Sequence, residues 1–270
     1  MSSDRASVHS RESDFHDSWA SSVDLQSVDV CAAFQAPTAL ENRFIMQLLG
    51  SVKGKRVLDV GAGLGESSVY FALQGAQVTC TDLSPGMVRT AVSLAERHGV
   101  RIDGVVSAAE DLRVADGAFD VVYVANTIHH VTNKRAFFEQ IRRALKPGGT
   151  FVSIDPLAYN PVIKLYRRMA TDVRTEDEAP LTFSDLELAR EYFADVRHRE
   201  FWILSLALFL KYYLIDRVHP NEDRYWKRIF RESAESLGWW LTLRALDEHL
   251  CRLPVLRRMA WNMVMWGRKS

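Results

Sequence analysis

The stretch Val57-Leu-Asp-Val-Gly-Ala-Gly-Leu-Gly65 constrains this chain more than any other. An apolar run of strand character enters a turn with glycine at 61, 63 and 65, and helical spacing follows to about Gly75. Glycines let a backbone bend sharply and approach a ligand closely, and the next helix offers N–H groups and a positive dipole end to an anion. A carboxylate or phosphate is expected there. The dinucleotide fingerprint G-x-G-x-x-G reserves position 66 for glycine, whereas this chain has Glu66, which repels a pyrophosphate. A nicotinamide dinucleotide is therefore disfavoured.

From Lys55 the sequence alternates regularly. Strands are predicted over 56–60, 77–82, 104–107, 119–126 and 150–155, with helices to about 75, over 84–98 and over 133–145, and with LKPGG (145–149) as a turn. Such alternation implies an α/β fold, a doubly wound and mostly parallel Rossmann-like sheet. Further strands are expected over 193–203 and 260–269, after a helix over 184–193. Between those last two strands lies a stretch rich in Trp, Tyr, Leu and Arg, read as an α-helical insertion that forms a lid over the substrate. The expected division is a flexible tail (1–14), N-terminal cap helices (15–50), a core (51–203), the insertion (204–258) and a final strand of the core (259–270).

Thirty-four Lys plus Arg balance thirty-four Asp plus Glu, so no cationic field is present to hold nucleic acid. Cys31, Cys80 and Cys251 lie far apart with no C-x-x-C spacing, which argues against a disulfide framework and a zinc knuckle and for a reducing compartment. Residues 1–14 carry no apolar leader. The most apolar run, Phe201 to Leu210, is ten residues long, against about 20 for a membrane span. A cytoplasmic location is expected, with scope for peripheral membrane contact through 201–258.

Asp82 ends the strand VTCTD, where a carboxylate can accept hydrogen bonds from both hydroxyls of a ribose. VLDVGAGLG (57–65), TDLSPGMV (81–88), AAEDL (108–112), FDVVYVANTIHHV (119–131) and LKPGGTF (145–151) follow one another in an order and spacing that resemble the class I S-adenosylmethionine-dependent methyltransferases. Within them the chain is similar to the small-molecule group that includes the quinone C-methyltransferases. The resemblance implies S-adenosyl-L-methionine as cofactor. Gly61, Gly63 and Gly65 would line its methionine portion, Asp59 would sit beneath the loop, and Asp82 would hold the ribose. Met87 would lie against adenine, with Ala109, Glu110 and Asp111 at its far edge, and Ala62, Leu83 and Asn126 complete the set. Ala108 stands where many relatives carry a polar residue, so adenine recognition falls to backbone groups or Glu110. Asp59 as a brace of the loop and Met87 as plain core are the competing readings.

Methyl transfer from a sulfonium is an in-line displacement, in which the protein positions nucleophile and methyl and excludes water. Asn126-Thr-Ile-His-His130 follows the fourth strand and lacks the two prolines and aromatic residue of the adenine-N6 and protein-glutamine enzymes. His129, His130 and His16 are candidate general bases. One of the first two could instead contact the sulfonium or cap a helix, and His16 could be a solvated neighbour of Asp17. No metal is expected, because adjacent histidines lack the i, i+4 spacing of a helical site and no carboxylate cluster accompanies them in sequence. Phe15, Trp19, Asp155, Tyr159 and Asn160 are candidate acceptor-binding residues, although the prolines around Asn160 also suit an ordinary turn.

The function these features imply is transfer of a methyl group from S-adenosylmethionine to an O, C or N nucleophile of a lipophilic small molecule, such as a natural product, quinone or lipid intermediate. The alternative is a non-catalytic relative that binds the cofactor, or a partner through the aromatic insertion.

Overall fold

A computed structural model describes residues 2–172 and 178–270. Its organising element is one sheet of seven strands: β1 (Arg56–Val60), β2 (Gln77–Asp82), β3 (Ile102–Val106), β4 (Phe119–Ala125), β5 (Leu145–Pro156), β6 (Ala194–Phe201) and β7 (Asn262–Arg268). Their order is β3-β2-β1-β4-β5-β7-β6. The first five are parallel to one another, and β7 runs antiparallel to both β5 and β6. The expected mostly parallel, doubly wound α/β sheet is thus present. Central strands covered on both faces need apolar residues at successive positions. Val57, Leu58 and Val60 of β1 and Val121 to Val124 of β4 are accordingly all buried. The strand order reverses between β1 and β4, and the crevice at their carboxyl ends is where such sheets bind ligands.

The helices are α1 (Ser2–Ser22), α2 (Ala32–Gln35), α3 (Leu40–Leu49), α4 (Glu66–Leu73), α5 (Pro85–Arg97), α6 (Lys134–Ala144), α7 (Pro161–Met169), α8 (Phe183–Arg190), α9 (Ala207–Leu214), α10 (Tyr225–Arg228) and α11 (Gly238–Leu250). Local sequence explains the ends of several. The Ser84 hydroxyl accepts from Met87 N and Pro85 occupies the first turn of α5, while Asn133 and Asn160 side chains cap α6 and α7.

Two expectations are corrected. The segment through residue 14, read as a loose tail, lies within α1 apart from Met1, which is outside the described residues. Its buried stripe contains Val8, Glu12 and Ala20, spaced as helical neighbours but chemically mixed, so hydrophobic periodicity does not reveal it. LKPGG is taken into β5 rather than preceding it. Gly148 N donates to Lys269 O (2.8 Å) and Lys269 N donates to Gly149 O (2.9 Å), so pairing with the chain end draws the turn into the strand.

The 204–258 stretch carries α9, α10 and α11. Trp202 packs on Trp240 (5.2 Å between centroids), Phe209 on Trp261 (4.9 Å) and Tyr212 on Tyr225 (5.2 Å). This aromatic cluster is continuous with Val57, Val121 and Val264 of the sheet. Buried Asp247 of α11 accepts from the backbone N–H groups of Ile203, Leu204 and Ser205 and from the Ser205 hydroxyl, which ties α11 to the start of the insertion. Among the described residues, no helix is long and apolar enough to cross a membrane.

Candidate active site

The loop after β1 is shaped by close approaches that only glycine allows. A Cβ on Gly61 (φ 71°) would lie 2.2 Å from Thr127 Oγ1, and one on Gly65 (φ 89°) would lie 2.6 Å from Ala91 Cα of α5. At Gly63 (φ 55°) the same position is open space. The loop therefore packs tightly at both ends and leaves its middle facing a pocket of about 290 Å³.

Asp82 lies at 9 % exposure at the carboxyl end of β2. Its Oδ2 accepts from Gly63 N and its Oδ1 from Ser84 N, both at 2.9 Å. An ionised carboxylate has about four lone-pair sites. Two backbone bonds therefore hold the group rigid and leave capacity for two ligand hydroxyls. Burial pushes its pKa up, against the backbone N–H of Ser84 and the positive field of His16. Asp59, at 1 % exposure, accepts from Ser68 Oγ of α4 at 2.6 Å, and burial pushes its pKa up to about 7. It braces the loop from below and also lines the pocket.

Two elements roof the pocket. Helix α1 is anchored where the Asp17 carboxylate accepts from the Ser84 hydroxyl and from Gly86 N (2.7 Å) at the start of α5. The Ser84 bond holds the Asp17 carboxyl below its usual range. From there α1 directs His9, Glu12, Phe15, His16 and Trp19 into the pocket. The insertion contributes Trp226 and Lys227 of α10. Lys227 Nζ lies 2.7 Å from Glu66 Oε1, the Arg224 guanidinium lies 4.0 Å over the Trp19 ring, and Trp226 meets Trp19 edge-on at 6.1 Å. The α1 roof and the insertion therefore meet at Trp19.

The fourth wall is the segment after β4. Asn126 adopts φ 52°, an uncommon conformation for a non-glycine residue, with its N–H donating to Ile154 O at 2.8 Å. Residues 128–130 form a single 3₁₀ turn. It buries His129, whose Nδ1 lies 2.8 Å from Asp155 Oδ1, while His129 N donates to the same oxygen at 3.2 Å. Burial pushes Asp155 up to about 8, against the backbone N–H of His129 and the nearby cations. Glu110 Oε1 accepts from Thr132 N, Thr132 Oγ1 and Asn133 N, and its Oε2 lies 3.1 Å from His9 Nε2.

Most residues singled out in the sequence meet here. Asp59, Gly61, Ala62, Gly63, Asp82, Leu83, Ala109, Glu110 and Asn126 line the pocket, as do Phe15, His16, Trp19, His129 and His130. Several do not. Met87 is fully buried with Ala20 and Leu64 beneath α1, so its core reading applies. Gly65 serves the packing of α4 on α5, and Asp111 is exposed at the surface. Asp155 sits behind His129 rather than in the pocket. Asn160 caps α7 and donates to Met259 O, and Tyr159 stacks on Phe183 with its hydroxyl accepting from Phe183 N. Their strand-end position is real, but their side chains serve the second half of the fold. No carboxylate cluster neighbours the adjacent histidines in sequence, but Glu12 and Glu178 each reach them across the fold.

Sequence reasoning missed His9, Glu12, Thr127 and Lys227, all of which line the pocket. The i, i+4 spacing of Glu12 and His16 was a usable signal. Lys227 and Glu66 are brought together across 161 positions, which no local pattern reports.

Residues 58–153 match the family described as a methyltransferase domain. The chain is 34 % identical over 110 residues to a demethylmenaquinone methyltransferase of Renibacterium salmoninarum, covering 41 % of this chain and 45 % of that protein. It is 41 % identical over 97 residues to a ubiquinone biosynthesis O-methyltransferase of Xanthomonas euvesicatoria pv. vesicatoria, covering 36 % of this chain and 41 % of that one. The matched region thus spans less than half the length of these curated relatives. In fold it is similar to phosphoethanolamine N-methyltransferase 2 of Haemonchus contortus, solved with phosphomonomethylethanolamine and S-adenosylhomocysteine, with a TM-score of 0.58 at 18 % identity over 86 % of this chain and 52 % of that one. Through residues 58–153 the chain is thus similar to methyltransferase domains.

Proposed function

We propose that this chain is an S-adenosyl-L-methionine-dependent methyltransferase acting on a lipophilic, hydroxyl-bearing aromatic molecule such as a phenol or hydroquinone. The observation that carries the cofactor assignment is the fixed Asp82 carboxylate beside the open middle of the glycine loop. When bound, the cofactor supplies a sulfonium-activated methyl group. The residues fit that charge, since Glu66, Asp82 and Glu110 all line the pocket. They fit a pyrophosphate poorly, because Glu66 stands at the first turn of α4.

The chain then has two tasks, positioning and proton removal. Phe15, Trp19, Ile163, Tyr166, Trp226 and Trp261 give the pocket its apolar wall, suited to a flat lipophilic acceptor and to exclusion of water. His129 takes the acceptor proton at Nε2, with Asp155 fixing the ring through Nδ1. The relatives named for quinone methylation support an acceptor of this class. Leu214 (66 % exposed), Ile215 (74 %) and Val255 (76 %) on the insertion suit contact with a membrane in which such an acceptor dissolves.

The test is transfer of a labelled methyl group to a panel of phenols, hydroquinones and aliphatic alcohols, each offered in detergent and in anionic liposomes. Label in the aromatic hydroxyl acceptors, faster from liposomes, is expected. Absence of transfer to every acceptor by protein that binds the cofactor would overturn the catalytic reading in favour of a non-catalytic relative.

A further inference from the structure

His16 and His130, the two candidate bases that the assignment does not use, lie in a cluster of their own. Glu12 and His16 are one turn apart on α1 and so share a face. Glu12 is buried, its side chain only 6 % exposed, and those of His16 and His130 are 24 % and 23 % exposed. His130 comes from the turn after β4, so the three residues join two elements across the pocket mouth.

Their spacing suits a shared ion better than a pair of hydrogen bonds. Glu12 Oε2 lies 3.5 Å from His16 Nε2 and 3.2 Å from His130 Nδ1, and donor atoms of all three residues lie within 4.8 Å of one another. Charge-assisted hydrogen bonds run to about 2.7–2.9 Å. Donors at the corners of a tetrahedron with metal bonds of about 2.0–2.1 Å are about 3.4 Å apart. His130 Nδ1 is buried, and its 3.2 Å approach to Glu12 Oε2 does not have hydrogen-bond geometry.

We propose that Glu12, His16 and His130 form a binding site for one divalent transition-metal ion, with zinc the best match. Two imidazoles and one carboxylate are the donors of three-ligand zinc sites that keep a further coordination position open, and they are a poor match to magnesium, which prefers oxygen. Because all three residues line the pocket, the open position faces it. The ion also clamps α1 onto the segment after β4. His129 and Glu178 approach His130 as a second grouping, but there His129, oriented by Asp155 through Nδ1, would have to bind through the Nε2 that the base assignment uses. The site does not depend on the methyltransferase reading, and its test needs no turnover.

The test is calorimetric titration of chelator-treated full-length protein with zinc chloride, with magnesium chloride as the comparison. One saturable zinc site is expected, with no competition from magnesium. Loss of an outer partner of a metal ligand alone costs about 10–100-fold in affinity. Glu12→Gln and His16→Ala are therefore each expected to weaken zinc binding by more than about 100-fold, and Glu178→Gln and His9→Ala to leave it unchanged. Zinc should raise the melting temperature of the parent protein but not that of the Glu12→Gln, His16→Ala double variant, whose zinc-free melting temperature reports its folding. No saturable zinc binding by the parent, equal affinity in the Glu12 and His16 variants, or loss confined to Glu178→Gln would overturn the assignment.

Discussion

His129 Nδ1 and Asp155 Oδ1 lie 2.8 Å apart, the carboxyl fully buried and the imidazole on the pocket wall. Under the proposed base role an ionised Asp155 would keep the proton on Nδ1 and leave Nε2 as the basic nitrogen, the orienting role that a buried carboxylate gives a catalytic histidine. With Asp155 pushed up to about 8 by burial, its carboxyl loses its proton late and only then accepts from Nδ1–H. The rate of methyl transfer is therefore expected to rise with pH and level off above about 8. General bases contribute about 10²–10⁴-fold. His129→Ala should lower kcat by at least about 100-fold and flatten the profile, and Asp155→Asn should lower it by favouring the wrong tautomer. A pH–rate profile unchanged in both variants would remove the base assignment.

The Asp82 carboxylate is held by Gly63 N and Ser84 N, so its orientation is set before any ligand arrives. Hydrogen bonds to a charged group contribute about 1.5–3 kcal/mol each. Asp82→Ala is expected to weaken S-adenosylhomocysteine binding by at least about 100-fold, and Asp82→Asn to weaken it less. Calorimetry on variants that retain the parent circular dichroism spectrum checks this, and undiminished affinity would sink the ribose role.

Two glycines of one loop should respond in opposite ways to the same methyl group. A Cβ at Gly65 meets the Ala91 backbone, while one at Gly63 meets nothing but the pocket. Overpacking costs about 1–3 kcal/mol and a left-handed residue about 1–2 kcal/mol more. Gly65→Ala should therefore lower unfolding stability in urea by about 2 kcal/mol or more. Gly63→Ala should cost stability less and cofactor affinity more. Equal effects on both readouts would contradict the packing account.

Asp59 makes stability fall as pH rises. Its folded pKa is raised to about 7, above the ordinary carboxyl value of 3.8, so between those values the native state holds a proton that the unfolded state has released. Ionising it inside the protein costs up to about 1.4 kcal/mol per pH unit across that window. The melting temperature is expected to decline from pH 5 to pH 7, and the decline to be shallower in Asp59→Asn. Identical slopes would show that Asp59 does not titrate in the folded protein.

The β1-loop-α4 unit was legible in the sequence because a strand, three glycines and a helix leave local marks that do not depend on the rest of the chain. The strands were likewise legible, since burial on both faces demands the apolar runs of β1 and β4. Helix α1 was not, because the face it buries carries Glu12 and His16 as well as Val8 and Ala20, and polar residues that serve a pocket erase the periodicity of a helix that serves a core. Strand-end position identified Asp155 and Asn160 but not their direction. Whether such a side chain enters the crevice or turns away depends on neighbours such as His129 and Met259, which spacing does not specify. The meeting of Lys227 with Glu66, and of His130 with Glu12, follows only from the complete fold.

The most direct test of the central claim is calorimetric titration of the purified protein with S-adenosylmethionine, S-adenosylhomocysteine and NAD. The account expects saturable one-to-one binding of both sulfur compounds and none of the dinucleotide. Binding of NAD, or of neither sulfur compound, would contradict it.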